Sequence, residues 1–161
     1  MAKKTYILAL FILLSLTSIY SSIAQTKPDT LRYCVKEDNI GVGGFDPVSY
    51  FQGAPKSGSS VLMIIIDGVS YRFTSEENMK KFKTDPSKYL PQFGGWCSMT
   101  LAMGRATTPK YDNFVILKGK LYLFERTVSV NGRELWLSDP KTNEKTASKN
   151  YHLYRTTGKI N

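Results

Sequence analysis

Cys97, Met99 and Met103 stand close together in the chain and are the soft side chains a copper(I) ion would choose. Met99 and Met103 lie one helical turn apart. Cys97 and Met99 are two residues apart, which turns them about 200° from one another on a regular helix. The trio can therefore share an ion only if the helix begins after Cys97. A cysteine at a helix N-terminus also tends toward thiolate. Nucleophilic catalysis would further require a base and an orienting group. The sole histidine, His152, lies in the C-terminal segment, and nothing in the sequence places it beside Cys97. Carboxylates are scattered, and Asp46 and Glu77 read better as helix caps than as an acid–base pair. No catalytic constellation emerges, so the chain reads as a non-enzyme. With two cysteines and one histidine there is also no four-ligand zinc set.

The elements that must position these residues are legible from patterning. Val61–Ile66 is a β-forming run closed by Asp67-Gly68, and Val69, Tyr71 and Phe73 alternate on the return strand. A second hairpin runs from Phe114 to Leu117, turns at Lys118-Gly119-Lys120, and returns over Leu121 to Phe124. Thr74 with Glu77 fits a capping box for a helix burying Met79 and Phe82. Asp85-Pro86 breaks that helix and opens a short turn to Tyr89. Asp46-Pro47 starts another turn, anchored by Val48, Tyr50 and Phe51. Trp96 to Met103 is apolar nearly all round and predicts a buried helix with Trp96, Met99 and Met103 inward. One further helix passes through Leu135-Trp136, and Tyr151–Tyr154 reads as a last strand. Leu31, Tyr33 and Val35 alternate like an edge strand in an otherwise polar, loosely held segment. The two hairpin-then-helix stretches are loosely alike, without a repeat strong enough to define. Gly41–Gly44 lacks the spacing of a phosphate or dinucleotide loop. The fold class is thus α+β: one small domain with two β-hairpins and short helices.

The N-terminus supplies an address. Lys3 and Lys4 precede an apolar stretch from Tyr6 to Leu16, too short for a comfortable membrane span. Ser22 and Ala24 suit signal-peptidase cleavage before Gln25. No membrane span is expected after cleavage, and the mature chain is expected in a periplasmic or extracellular compartment. Cleavage lowers the formal charge by two, from the +9 of the 161-residue chain to +7. Lys80, Lys81, Lys83 and Lys88, and separately Lys141, Lys145 and Lys149, read as solvated helix faces. No nucleic-acid motif accompanies them, so no nucleic-acid partner is expected. An oxidising compartment and two mature cysteines predict a Cys34–Cys97 disulfide.

Several ordered motifs resemble one family. Gly44-Phe45-Asp46-Pro47-Val48-Ser49-Tyr50-Phe51 looks like the D-P-V-x-Y-F opening of YHS-domain proteins. Tyr71-Arg72-Phe73-Thr74-Ser75, then Phe82, Asp85-Pro86 and Lys88-Tyr89, continue it. Pro91-Gln92-Phe93-Gly94-Gly95-Trp96-Cys97 and Gly119-Lys120-Leu121-Tyr122-Leu123 resemble the family's exported branch. The resemblance implies a small α+β module. It also implies heavy-metal handling in branches that carry cysteines at the positions of Ser49, Thr74 and Asn78 here. Hydroxyl and amide groups do not replace thiolates, so that metal function does not transfer to these positions.

These readings divide the chain into a signal peptide (1–24), an N-terminal segment (25–43), a YHS-like domain (44–125) and a C-terminal extension packed on it (126–161). Function is expected to be that of an exported binding or accessory module. Asp46, Tyr50, Tyr71, Trp96 and Cys97 are its candidate ligand-binding residues. The expected partner is a small ligand or metal ion, and no cofactor is required by the sequence. The alternatives are a copper-type protein using Cys97, Met99 and Met103, and a thiol- or carboxylate-dependent hydrolase.

Overall fold

The hairpins form where β-branched runs meet residues able to take positive φ. In the computed structural model, which describes residues 27–160, β1 (Ser59–Ile66) pairs antiparallel with β2 (Val69–Phe73). The turn is Asp67 at φ 49° and Gly68 at φ 80°. β3 (Lys110–Leu117) and β4 (Lys120–Phe124) repeat the arrangement through Lys118 at φ 50° and Gly119 at φ 74°. Both are two-residue turns of the type whose twist matches the flanking strands. Each hairpin is a separate two-stranded sheet. Around them lie α1 (Glu76–Thr84), α2 (Pro86–Tyr89), α3 (Ser98–Ala102), α4 (Gly132–Ser138) and α5 (Pro140–Thr157), so the class is α+β. The proposed signal peptide falls outside the described residues. Among the described residues no helix is long and apolar enough to cross a membrane.

The hairpin-and-helix stretches are two copies of one unit, displaced by 51 residues along the chain. β1 and β3 have the same length, as do β2 and β4. Both first strands carry an irregularity at the same place, between Ser59 and Met63 and between Lys110 and Phe114. A single parallel bridge precedes each hairpin, Ile40 to Ser70 and Pro91 to Leu121. The turns Gly41–Gly44 and Gln92–Gly95 share an unusual left-handed pair, Val42 and Gly43 at φ 45° and 62°, Phe93 and Gly94 at φ 55° and 61°. After the hairpins the second copy carries three additional residues, and Asp85-Pro86 matches Asp139-Pro140. Phe82 then corresponds to Trp136. Phe82 meets Tyr71 and Phe73 at interplanar angles of 37° and 55°; Trp136 meets Tyr122 and Phe124 at 38° and 54°.

The two units stack so that the second hairpin is buried on both faces. Tyr122 and Phe124 face the second unit's own cluster with Trp136, Leu101 and Ala147. Leu121 and Leu123, with Phe114 and Ile116 beside them, pack into the first unit's cluster of Tyr50, Tyr71, Phe73, Phe82 and Tyr89. The Tyr50 and Phe114 rings meet edge-on at 5.0 Å. α5 closes the far side of the second unit: Asn150 Nδ2 donates to the Leu101 carbonyl at 2.8 Å, and Tyr154 lies against Trp96 at 5.4 Å.

Several expectations change. Tyr151–Tyr154 is helical, because Tyr151 and Tyr154 sit three apart and reach Phe93 and Trp96 from one face of α5. Leu31–Val35 forms no strand. Tyr33 and Cys34 are nevertheless buried, with the Tyr33 hydroxyl donating to Asp67 at 2.5 Å. α1 is capped by Ser75 rather than Thr74, since Thr74 is engaged by Asp46. The buried helix is only α3; it ends at Ala102, and Met103 is 54% exposed rather than inward. The segment from 126 onward packs on the preceding hairpin, with Trp136 of α4 fully buried at the centre of the second unit's core.

Candidate functional site

The left-handed turn at Val42-Gly43 delivers Asp46 into the first unit, where it is fully buried. Asp46 Oδ1 accepts from the Val48 amide at 2.9 Å. Oδ2 accepts from the Thr74 amide at 2.9 Å, Thr74 Oγ1 at 2.7 Å and Asn78 Nδ2 at 2.7 Å. Ser49 Oγ donates to the Asp46 carbonyl at 2.6 Å and accepts from the Lys56 amide at 2.9 Å. Gln52 Nε2 donates to Asn78 Oδ1 at 3.0 Å and closes the network. Ser49, Thr74 and Asn78 therefore converge, yet they act as neutral hydroxyl and amide groups bonded to Asp46 and its backbone. Such a donor set does not fit a heavy metal, and its role is to hold a buried carboxylate. Among the described residues, no group of three or more His, Cys, Asp or Glu is placed to hold a metal ion.

Cys97 occupies Asp46's place in the second unit. Its amide donates to the Thr107 carbonyl at 2.9 Å, as the Asp46 amide does to Lys56 at 2.8 Å. Thr100 Oγ1 donates to the Cys97 carbonyl at 3.2 Å, matching Ser49. Cys97 Sγ accepts from the amides of Glu125 at 3.1 Å and Thr100 at 3.5 Å. The expected Cys34–Cys97 disulfide is not formed: both cysteines are free and buried. Each sulfur has its own partner, Cys34 Sγ lying 3.7 Å from Thr108 Oγ1. Burial pushes the Cys34 thiol up, with hydrogen bonds to Thr108 and Tyr111 acting in the opposite sense. His152 is exposed on α5 while Cys97 is fully buried, so the structure does not assemble a Cys–His pair.

The five candidate ligand residues are separated by the same division. Asp46, Tyr50 and Tyr71 are buried in the first unit. Cys97 and the half-buried Trp96 belong to the second. Tyr50 OH donates to the Tyr111 carbonyl at 2.9 Å, and Trp96 Nε1 to the Leu31 carbonyl at 3.1 Å. Burial raises the Tyr50 and Tyr71 phenols above their ordinary range. Their polar atoms serve packing.

The open site lies beside Cys97 instead. A groove of about 210 Å³ has apolar walls of Met99, Met103, Val130 and Leu135, with Arg105 and Glu125 among its polar groups. Three of these apolar side chains are substantially exposed, Met103 at 54%, Val130 at 49% and Leu135 at 42%. Of the soft trio, Met99 and Met103 line the groove, whereas Cys97 is not part of its wall. A glycine, Gly132, also lines it. Counted back from the matched Asp-Pro pairs, Gly132 stands where the first unit has Asn78. Asn78 carries an amide there bonded to Asp46 and Thr74, whereas at Gly132 the Glu125 carbonyl, Met99 Cβ and Phe124 Cβ close in on the backbone and leave no room for a side chain. A Cβ at Gly132 would lie 2.9 Å from the Glu125 carbonyl oxygen. Sequence reasoning found the two methionines and missed Arg105, Val130 and Leu135. The available signal was the apolar Val128 and Val130 in an otherwise polar loop.

A second depression, of about 300 Å³, lies over Tyr122 and Trp136. Within it Glu144 accepts from Lys120 and from Tyr122, each at 2.7 Å, while the buried Trp136 Nε1 has no hydrogen-bond partner.

No protein-family model, curated protein or solved structure matches the chain.

Proposed function

We propose that the protein is an exported, non-enzymatic binding module of YHS type, whose ligand site is the groove of the second unit. One observation carries the reading. Exposed Met103, Val130 and Leu135 line an open groove together with Arg105 and Glu125, whereas in the first unit the side chains of Thr74 and Asn78 are spent on Asp46. Apolar walls with a few placed polar groups are the composition of a small-molecule site. The buried Asp46 network supports the first unit as scaffold, because its donors and acceptors are spent on one another. Motif order and the short apolar leader support the family and the address.

Native mass spectrometry of the protein purified from its own envelope tests the reading. The expected result is a small-molecule mass increment that is present in wild type and lost in Met103→Asp. Wild-type protein recovered without any increment, and unresponsive to small amphipathic probes, would overturn it.

A further inference from the structure

We infer that the groove takes a small zwitterion with an apolar body, of the class of apolar α-amino acids. This rests on the groove being the ligand site. The argument begins with charge. Arg105 and Glu125 both line the groove, and neither is in any ion pair among the described residues. The Arg105 guanidinium makes no hydrogen bond there; only its backbone amide is engaged, to the Thr100 carbonyl at 2.7 Å. Glu125 uses one carboxylate oxygen, Oε2, to accept from Thr107 Oγ1 at 2.9 Å, which leaves Oε1 without a protein donor. The neighbouring Arg126 does not compete for Glu125, because it is paired with Asp112 at 3.0 Å.

A monoanion entering this groove would satisfy Arg105 and face the Glu125 carboxylate. A monocation would meet the reverse problem. A molecule carrying a carboxylate and an ammonium compensates both, and discrimination follows from the charge left unpaired by any other ligand. Size points the same way. A volume of 210 Å³ is room for about seven waters at ~30 Å³ each, and below the ~300–1,000 Å³ of drug-sized pockets. Met99 and Met103 supply polarisable, adaptable walls for an aliphatic or thioether side chain. Both charges are particular to the second unit. Ala54 and Thr74 hold the matching places in the first, where the Thr74 hydroxyl is bonded to Asp46.

Isothermal titration of the purified protein with L-leucine, N-acetyl-L-leucine and L-leucinamide tests the assignment. L-leucine is expected to bind with Kd below ~1 mM, and each blocked analogue about tenfold or more weaker. Glu125→Gln keeps the acceptor for Thr107 and should abolish the discrimination against N-acetyl-L-leucine. Arg105→Gln should abolish the discrimination against L-leucinamide. Equal binding of all three, or no saturable binding of L-leucine, overturns the proposal. The fluorescent amphiphile 8-anilinonaphthalene-1-sulfonate separates the two levels. If it binds wild type but not Met103→Asp, and L-leucine does not displace it, the groove remains a ligand site and the zwitterion assignment fails. If neither the dye nor L-leucine binds wild type, both readings fail.

Discussion

Asp46 and Cys97 sit at one position of a duplicated unit and are held by equivalent backbone groups, yet their surroundings differ in kind. Around Asp46 the side chains of Thr74 and Asn78 close onto a carboxylate. Around Cys97 the corresponding side chains are Glu125, which turns to Thr107 and the groove, and Gly132, which contributes nothing. The same backbone thus supports a sealed polar core in one copy and an open site in the other. The hairpins differ in a related way. The outer face of β3 and β4 carries Phe114, Ile116, Leu121 and Leu123 and is buried against the first unit. The same face of β1 and β2 carries Met63, Ile65, Ser70 and Arg72, and its apolar members are exposed. Stacking two copies head to tail buries one such face and leaves the other uncovered.

Breaking the polar core should give the largest effect. Asp46→Ala removes the acceptor for four donors in a fully buried site, and a loss of about 3–5 kcal/mol is expected in urea unfolding. Cys97→Ala, which removes only a weak sulfur acceptor and a small apolar volume, should cost about 1–2 kcal/mol. Equal losses would mean that the two positions are not differentiated as described.

The hairpin faces come next. Phe114→Ala should destabilise by about 2–4 kcal/mol, because it removes the ring that packs on Tyr50. Met63→Ala, at the matching register position but 41% exposed, should cost below about 1 kcal/mol in the same assay.

Alkaline titration sharpens the comparison further. Burial raises the phenols of Tyr50 and Tyr71 in the first unit and of Tyr122 in the second. A phenol whose folded pKa lies above its unfolded value of ~10 contributes stability that is complete below pH ~10 and lost as pH rises past it. Unfolding midpoints should therefore fall from about pH 10 upward. Tyr50→Phe should flatten that fall more than Tyr122→Phe, since burial raises the Tyr50 phenol further than that of Tyr122. The smallest effect belongs to the groove wall: Met103→Asp should change stability by under about 0.5 kcal/mol, whereas the same charge at the fully buried Leu101 should prevent folding.

The local elements were legible because their signals are local. β-branched runs ended by Asp-Gly and Lys-Gly specify hairpins, and Asp-Pro stops a helix, whatever surrounds them. The duplication was nearly invisible, because it preserves backbone geometry while changing side chains. Val42 matches Phe93, Asp46 matches Cys97, Ser70 matches Leu121, and Phe82 matches Trp136, with three residues inserted before the last pair. Tyr151–Tyr154 misled for a related reason: a four-residue apolar segment fits either period until a neighbouring surface selects one. Met103 misled because an apolar residue at helical spacing reads as core, although α3 ends one residue earlier and turns it outward.

What the sequence determined alone is the inventory: two hairpins, short capped helices, α+β class, and hydroxyl and amide groups at Ser49, Thr74 and Asn78. These follow from propensity, turn chemistry and ligand chemistry, all of which act within a few residues. The tertiary structure decided which residues face a cavity. Asp46 is sealed because Thr74 and Asn78 close onto it, and the Met103 region is open because α3 ends at Ala102 and turns Met103 outward. The Asp46 contacts join residues far apart in the chain, and no local pattern encodes them.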